Sequence, residues 1–233
     1  MHKGAQLSTR AAPELVLFDC DGVLVDSERI AVQVEVAILS ELGWEVTPEE
    51  IVERFLGISD ADYLAQVETQ VGRALGPDFL AEIEPRYRAA FERELTAVPG
   101  VESLLDTLAQ AGIKTAVASS GTPDKLRFTL GHTGLWERFE GRVFSATEVE
   151  KGKPAPDLFL HAARSLGVTE ERCVVVEDSP AGLAGALAAG MRAVAYAGGL
   201  VPLERLRLPG VAVATDMGEV AEQLLGRRSG CAR

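Results

Sequence analysis

Runs of apolar residues without polar alternation recur along the chain. Leu15-Val16-Leu17-Phe18 is the first; 115–118, 173–176 and 193–196 follow, with a weaker run at 211–213. Uninterrupted runs of this length predict strands buried on both faces. Between them the period changes: Val101, Leu104, Leu105 and Leu108 fall at i, i+3, i+4 and i+7, and 158–166 and 181–189 also read as helices. Strands that alternate with helices predict a parallel sheet covered on both faces.

Residues 27–95 break that rhythm, offering successive helical patterns and no convincing strand. Ile30, Val34, Ile38 and Leu42 form one stripe. Thr47-Pro48-Glu49-Glu50 has the form of a capping box with proline at the first helical position, opening a second helix that stops at Gly57. Further helices are predicted at 60–71 and 77–94, and Pro99-Gly100 punctuates the return to the α/β pattern. The expected organisation is a core of 1–26 and 96–233 with an all-helical module, 27–95, inserted after the first strand. Both chain ends, up to about residue 10 and beyond Gly226, are polar and are expected to fray.

Composition narrows the class. The chain has 233 residues, 47% hydrophobic and 25% charged, within the range of globular proteins and outside that of disordered or collagen-like chains. Its net charge of −12 argues against DNA or an anionic membrane as the main partner, since both require clustered Lys and Arg. Cys20, Cys173 and Cys231 form no CxxC pair, which predicts free thiols in a reducing compartment. The expected setting is cytoplasmic and the expected state a monomer or weak dimer, with no nucleic acid or membrane partner.

Candidate chemistry sits at the strand ends, where open parallel sheets place their ligand sites. Asp19-Cys20-Asp21-Gly22 follows the first run; these acids either form a site or cap a turn. Ser119-Ser120-Gly121 follows the second, with Thr122-Pro123-Asp124 opening a helix behind it. Such a turn before a capped helix also has the parts of an anion cradle, because unpaired N–H groups point outward there. Glu177-Asp178 closes a third run, with Ser179 and Pro180 suited to the N-cap and first helical position. Asp19, Asp21 and Asp178 together offer the oxygen-rich set that Mg²⁺ prefers, and Glu177 is a further ligand or a partner that orders a bound water. Of Lys151 and Lys153, the latter, held next to Pro154, is the better candidate for a cation that reaches phosphoryl or carboxylate oxygens.

Taken in order, Asp19-Cys20-Asp21-Gly22-Val23, Ser119, Lys153-Pro154 and Glu177-Asp178 resemble the four motifs of the haloacid dehalogenase superfamily. The resemblance spans about residues 15–200. The helical insert is similar to the cap of the subgroup that contains β-phosphoglucomutase and small sugar-phosphate phosphatases, including those acting on 6-phosphogluconate. It implies a Rossmann-like, doubly wound α/β core and a Mg²⁺-dependent phosphatase acting on a small phosphate ester. In that family's chemistry Asp19 attacks phosphorus to give an aspartyl-phosphate. Asp21 protonates the leaving alkoxide and then deprotonates water. Mg²⁺ is held by Asp19, the Asp21 backbone carbonyl and Asp178, with Glu177 close by. Ser119, the Ser120 and Gly121 amides and Lys153 hold the phosphoryl oxygens.

The acid at Asp21 favours phosphoryl transfer over carbon–halogen cleavage. A phosphomutase is the nearer alternative, yet the histidine and arginine that β-phosphoglucomutase carries in its cap align with Ala31 and Asp60 here. A receiver-like signalling module and a non-catalytic phospho-ligand binder are the readings of another class. Within the cap, Gly57 and Ser59 are expected to face the site, and Glu28, Arg54, Arg86 and Arg88 are further places where a leaving group could be read. Phe55 and Leu56 are expected in the cap core, and Cys20 among core side chains.

Overall fold

The computed structural model describes residues 12–226 except 57 and 59. The expectations for both chain ends, Cys231, Gly57 and Ser59 lie outside the described residues. Among the described residues six strands form one parallel sheet: β1 (Leu15–Phe18), β2 (Lys114–Ser119), β3 (Val143–Ser145), β4 (Cys173–Glu177), β5 (Arg192–Tyr196) and β6 (Ala212–Ala214). Their order is β3-β2-β1-β4-β5-β6, that of a doubly wound Rossmann sheet.

Period-two geometry divides the strand residues between two cores. Val16, Phe18, Val117, Val174 and Val176 face α5 (Val101–Gln110), α6 (Pro123–His132) and α11 (Met217–Leu225). Leu15, Leu17, Ala116, Ala118 and Val175 face α8 (Asp157–Ser165) and α9 (Pro180–Ala188). All four residues of β1 are fully buried. β3 was not legible in the pattern: three residues at the sheet edge are too few to show a period. The short helices α7 (Trp136–Phe139) and α10 (Leu203–Leu206) escaped for the same reason.

After β1 come four consecutive helices: α1 (Ser27–Glu41), α2 (Pro48–Phe55), α3 (Asp60–Val71) and α4 (Phe79–Glu94). They form a helical cap with its own core of Val32, Ile38, Leu39, Ile51, Phe55, Tyr63, Val67, Phe79 and Ile83. The capping box opens α2 as expected: Thr47 Oγ1 accepts from the Glu50 amide, and the Glu50 carboxylate accepts from the Thr47 amide. α4 starts two residues later than the pattern predicts and accommodates Pro85 within it. Phe55 joins the cap core, but Leu56 packs against the sheet-side cluster of Leu15 and Leu17, linking cap to core instead. The segments leading into and out of the cap lie side by side: Val25 bridges Ala97, Asp26 N donates to Thr96 O, and Val98 N donates to Leu24 O.

Candidate active site

β1 and β4 are neighbours, and the chain crosses from one half of the sheet to the other between them. Their C-terminal ends therefore meet at the topological switch point, where this class of sheet opens a crevice. Asp19 follows β1 directly, tied to the sheet by its amide donating to Val176 O at 3.0 Å. Glu177 ends β4 and Asp178 follows it. All three are buried, and one carboxylate oxygen of each lies within 4.8 Å of the others.

Lys153 supplies the counter-charge. Its Nζ donates to Asp19 Oδ1 and, at 2.9 Å, to Glu177 Oε1, with the side chain only 5% exposed. Burial alone would lower the ammonium's pKa; Asp19 and Glu177 outweigh it and hold it above the ordinary value. Burial, opposed by Lys153, pushes Asp19 up to about 7. Asp178 lies well above the usual carboxylate range, through burial and then the nearby charge of Glu28.

Glu177 is the anchor of the cluster. Its Oε2 accepts from the Asp178 and Ser179 amides at 2.7 and 3.2 Å, and its Oε1 accepts from Ser179 Oγ as well as Lys153. Ser179 Oγ in turn caps α9 by accepting from the Gly182 amide. Gly182 must lack a side chain, because a Cβ there would fall 1.6 Å from Glu177 Oε1. Gly185 packs against α8 and the loop before it rather than against the sheet: a Cβ there would meet Ala155 O and Phe159 at 3.1 Å.

Two buried carboxylate oxygens, Asp178 Oδ2 and Glu28 Oε2, have no hydrogen-bond partner among the described residues. Unpaired buried anionic oxygens are costly unless a cation meets them. Both border Gly22 at φ +75°: a Cβ there would lie 1.9 Å from Asp178 Oδ2 and 3.1 Å from Glu28 Cδ. Burial, then repulsion from Asp21 and Asp19, raises Glu28 to about 8. With Asp19 and Glu177 alongside, the donors are hard oxygens, a set that fits Mg²⁺.

Asp21 points elsewhere. Its carboxylate accepts from Ser27 Oγ at 2.5 Å and Lys125 Nζ at 2.8 Å, and is not part of the three-acid cluster. Burial would raise its pKa, but Lys125 outweighs burial and holds it below the ordinary value. Across the crevice Ser119 is buried, its Oγ accepting from the Gly121 amide at 3.2 Å, and Ser120 is exposed. Ser145 Oγ pins the same turn by donating to Gly121 O at 2.7 Å.

Sequence reasoning missed Lys125, one of several cations in polar helical surroundings; its spacing from Asp21 carries no signal. Glu28 was named only as a leaving-group contact, and it lies instead against Asp178. The cap arginines are engaged elsewhere: Arg86 is bidentate to Glu41 at 2.7 Å, Arg88 lies over Phe128, and Arg54 lies over Trp44. Cys20 is fully buried beside Thr129, and burial pushes its thiol up, as a core residue requires.

The model of the haloacid dehalogenase-like hydrolases matches residues 13–190. The 6-phosphogluconate phosphatase of Escherichia coli is 35% identical over 182 residues, covering 76% of this chain and 80% of that protein. Hexitol phosphatase A of the same organism is 35% identical over 191 residues, covering 77% and 81%. A solved hydrolase of the family from Deinococcus radiodurans, with bound phosphate and sodium, superposes with a TM-score of 0.77 at 36% identity, covering 92% of this chain and 96% of that one. A switch-point acid cluster beneath a helical cap and a family match across most of the chain lead to one conclusion: this protein belongs to the haloacid dehalogenase-like hydrolases.

Proposed function

We propose that this enzyme, a phosphoric monoester hydrolase, acts on a small sugar or polyol phosphate with Asp19 as nucleophile. The observation that carries the reading is the buried set of Asp19, Glu177 and Asp178 with Lys153 against two of them. The 6-phosphogluconate and hexitol phosphatases among the relatives support the substrate class. We take residues 27–95 as the cap that covers the leaving group.

Asp19 and Asp178, with the Asp21 backbone carbonyl, would hold Mg²⁺, which when bound neutralises charge on the transferring phosphoryl group. Lys153 keeps one Asp19 oxygen fixed and adds positive charge beside the attacking one, and Glu177 holds Lys153 in place. The Asp19 carboxylate forms a bond to phosphorus as the ester P–O bond breaks, and Asp21, which must first take up a proton against the pull of Lys125, gives it to the departing oxygen. Water then attacks phosphorus, its proton passing to Asp21 as the Asp19–phosphorus bond breaks. Ser119 and the 120–121 turn receive the phosphoryl oxygens.

Ala31 and Asp60, where a phosphomutase of this family has a histidine and an arginine, favour hydrolysis over phosphoryl return. The test is phosphate release from a panel of phosphorylated sugars, polyols and sugar acids, with Mg²⁺ and with excess EDTA, and with β-glucose 1-phosphate also followed for isomerisation. Sustained Mg²⁺-dependent release is expected, lost by at least about 10³-fold in a folded Asp19→Asn variant. Isomerisation exceeding release, or turnover retained in Asp19→Asn, would overturn the reading.

A further inference from the structure

Asp21 is bonded to Lys125 and not to Lys153, the lysine on Asp19 and Glu177. Its two oxygens have unequal partners: Oδ2 accepts from the Lys125 ammonium at 2.8 Å, and Oδ1 from the neutral Ser27 hydroxyl at 2.5 Å. Lys125 is itself built in. It lies in the first turn of α6, its amide donates to Thr122 Oγ1, and its stem runs past Gly121, where a Cβ would stand 3.6 Å from Lys125 Cδ. The phosphoryl-binding turn and the cation on Asp21 are thus carried by one helix start.

We propose that Lys125 is a positioning residue for proton transfer by Asp21: it fixes one carboxylate oxygen and so aims the other at the leaving group and then at water. This rests on the phosphatase reading above. Rotation about Cβ–Cγ is the freedom that would misdirect an aspartate. A charge-assisted bond to one oxygen removes it, being roughly twice as strong as a neutral one. The oxygen on Ser27 is the one released for chemistry, since exchanging one hydroxyl partner for another costs little net. Lys125 favours the ionised form of Asp21, so its contribution is orientation, set against a cost in loading the proton. When protonated Asp21 has given its proton to the departing alkoxide as the P–O bond breaks, Lys125 faces the carboxylate that remains. That carboxylate then takes the proton of the attacking water.

The experiment compares kcat/KM, with Mg²⁺, for p-nitrophenyl phosphate and for an alkyl ester such as a hexitol phosphate. The phenolate leaves with little protonation, whereas the alkoxide needs it. Since a positioned acid contributes about 10²–10⁴-fold, Lys125→Met is expected to lose roughly 10- to 100-fold on the alkyl ester and less than about threefold on the aryl ester. Asp21→Asn should show the same selectivity, and Lys125→Arg should recover most of the loss. Lys125→Gln serves as a second neutral variant should Lys125→Met not fold.

Equal losses on both esters, or none, in the neutral Lys125 variants would overturn the role of Lys125 while Asp21→Asn remained selective. An Asp21→Asn variant indifferent to leaving group would overturn the acid assignment and this inference with it. Wild-type protein that hydrolyses neither ester would overturn the phosphatase reading itself.

Discussion

The two lysines of the site do different work because their surroundings differ. Lys153 is enclosed with Asp19 and Glu177, whose side chains are 10% and 2% exposed, so removing it leaves two buried carboxylates without a counter-charge. Breaking a buried ion pair in this way costs about 3–5 kcal/mol. Lys153→Met should lower the urea-unfolding free energy of the metal-free protein by that order, and added Mg²⁺ should restore part of it. A loss below about 1 kcal/mol would mean that Lys153 is not the cluster's counter-charge. Much at this scale was legible in advance. Asp19, Glu177, Asp178 and Lys153 sit at strand ends or beside a proline and fall in a fixed order. Lys125, Ser27 and the position of Glu28 were not legible, because their meaning lies in contacts across the fold. The neighbour that excludes a side chain at Gly182, the Glu177 carboxylate, likewise becomes visible only in the fold.

Among the elements, the cap carries a titratable group that the proposed chemistry does not use. Glu35 on α1 is raised to about 7 by burial, against a hydrogen bond from Tyr87 on α4 at 3.4 Å, with Tyr63 of α3 also facing it. The folded state therefore keeps a proton that the unfolded chain loses near pH 4.5. Stability falls as pH rises from about 4.5 to 7, and the full penalty remains above that window. Glu35→Gln should remove this dependence and stabilise the protein at pH 8 by about 1–2 kcal/mol, read from melting curves at pH 5 and pH 8. A variant less stable at pH 8 would show that the charged carboxylate is needed. Long elements were readable from periodicity: β1, β2, β4 and β5 as apolar runs, and α5, α8 and α9 as stripes or blocks. The α1 stripe was read only in part, since Ile30 and Ile38 are buried as expected while Val32 and Leu39 replace Val34 and Leu42 as its fully buried partners. A helix buried on two sides, by cap and by sheet, has no single stripe to read.

For the whole molecule, a net charge of −12 opposes the approach of a phosphate dianion. The Debye length shrinks from about 30 Å at 0.01 M salt to about 8 Å at 0.15 M, so the field of the distant carboxylates is screened while that of Lys153 and a bound cation is not. kcat/KM for the preferred ester should therefore rise with salt over this range; a fall would mean that the crevice projects a net positive field. The global architecture was legible because strands and helices alternate, and the cap was legible because the alternation stops. The way the two are joined was not, as it rests on main-chain pairing between Val25 and Ala97, residues of no distinctive pattern. That pairing has a consequence for how such a chain can change over generations. Because the cap leaves and rejoins the core at adjacent points, its length and helix count are free to vary without moving a strand. The helical cap can be exchanged as a cassette, while the sheet beneath it is left as it is.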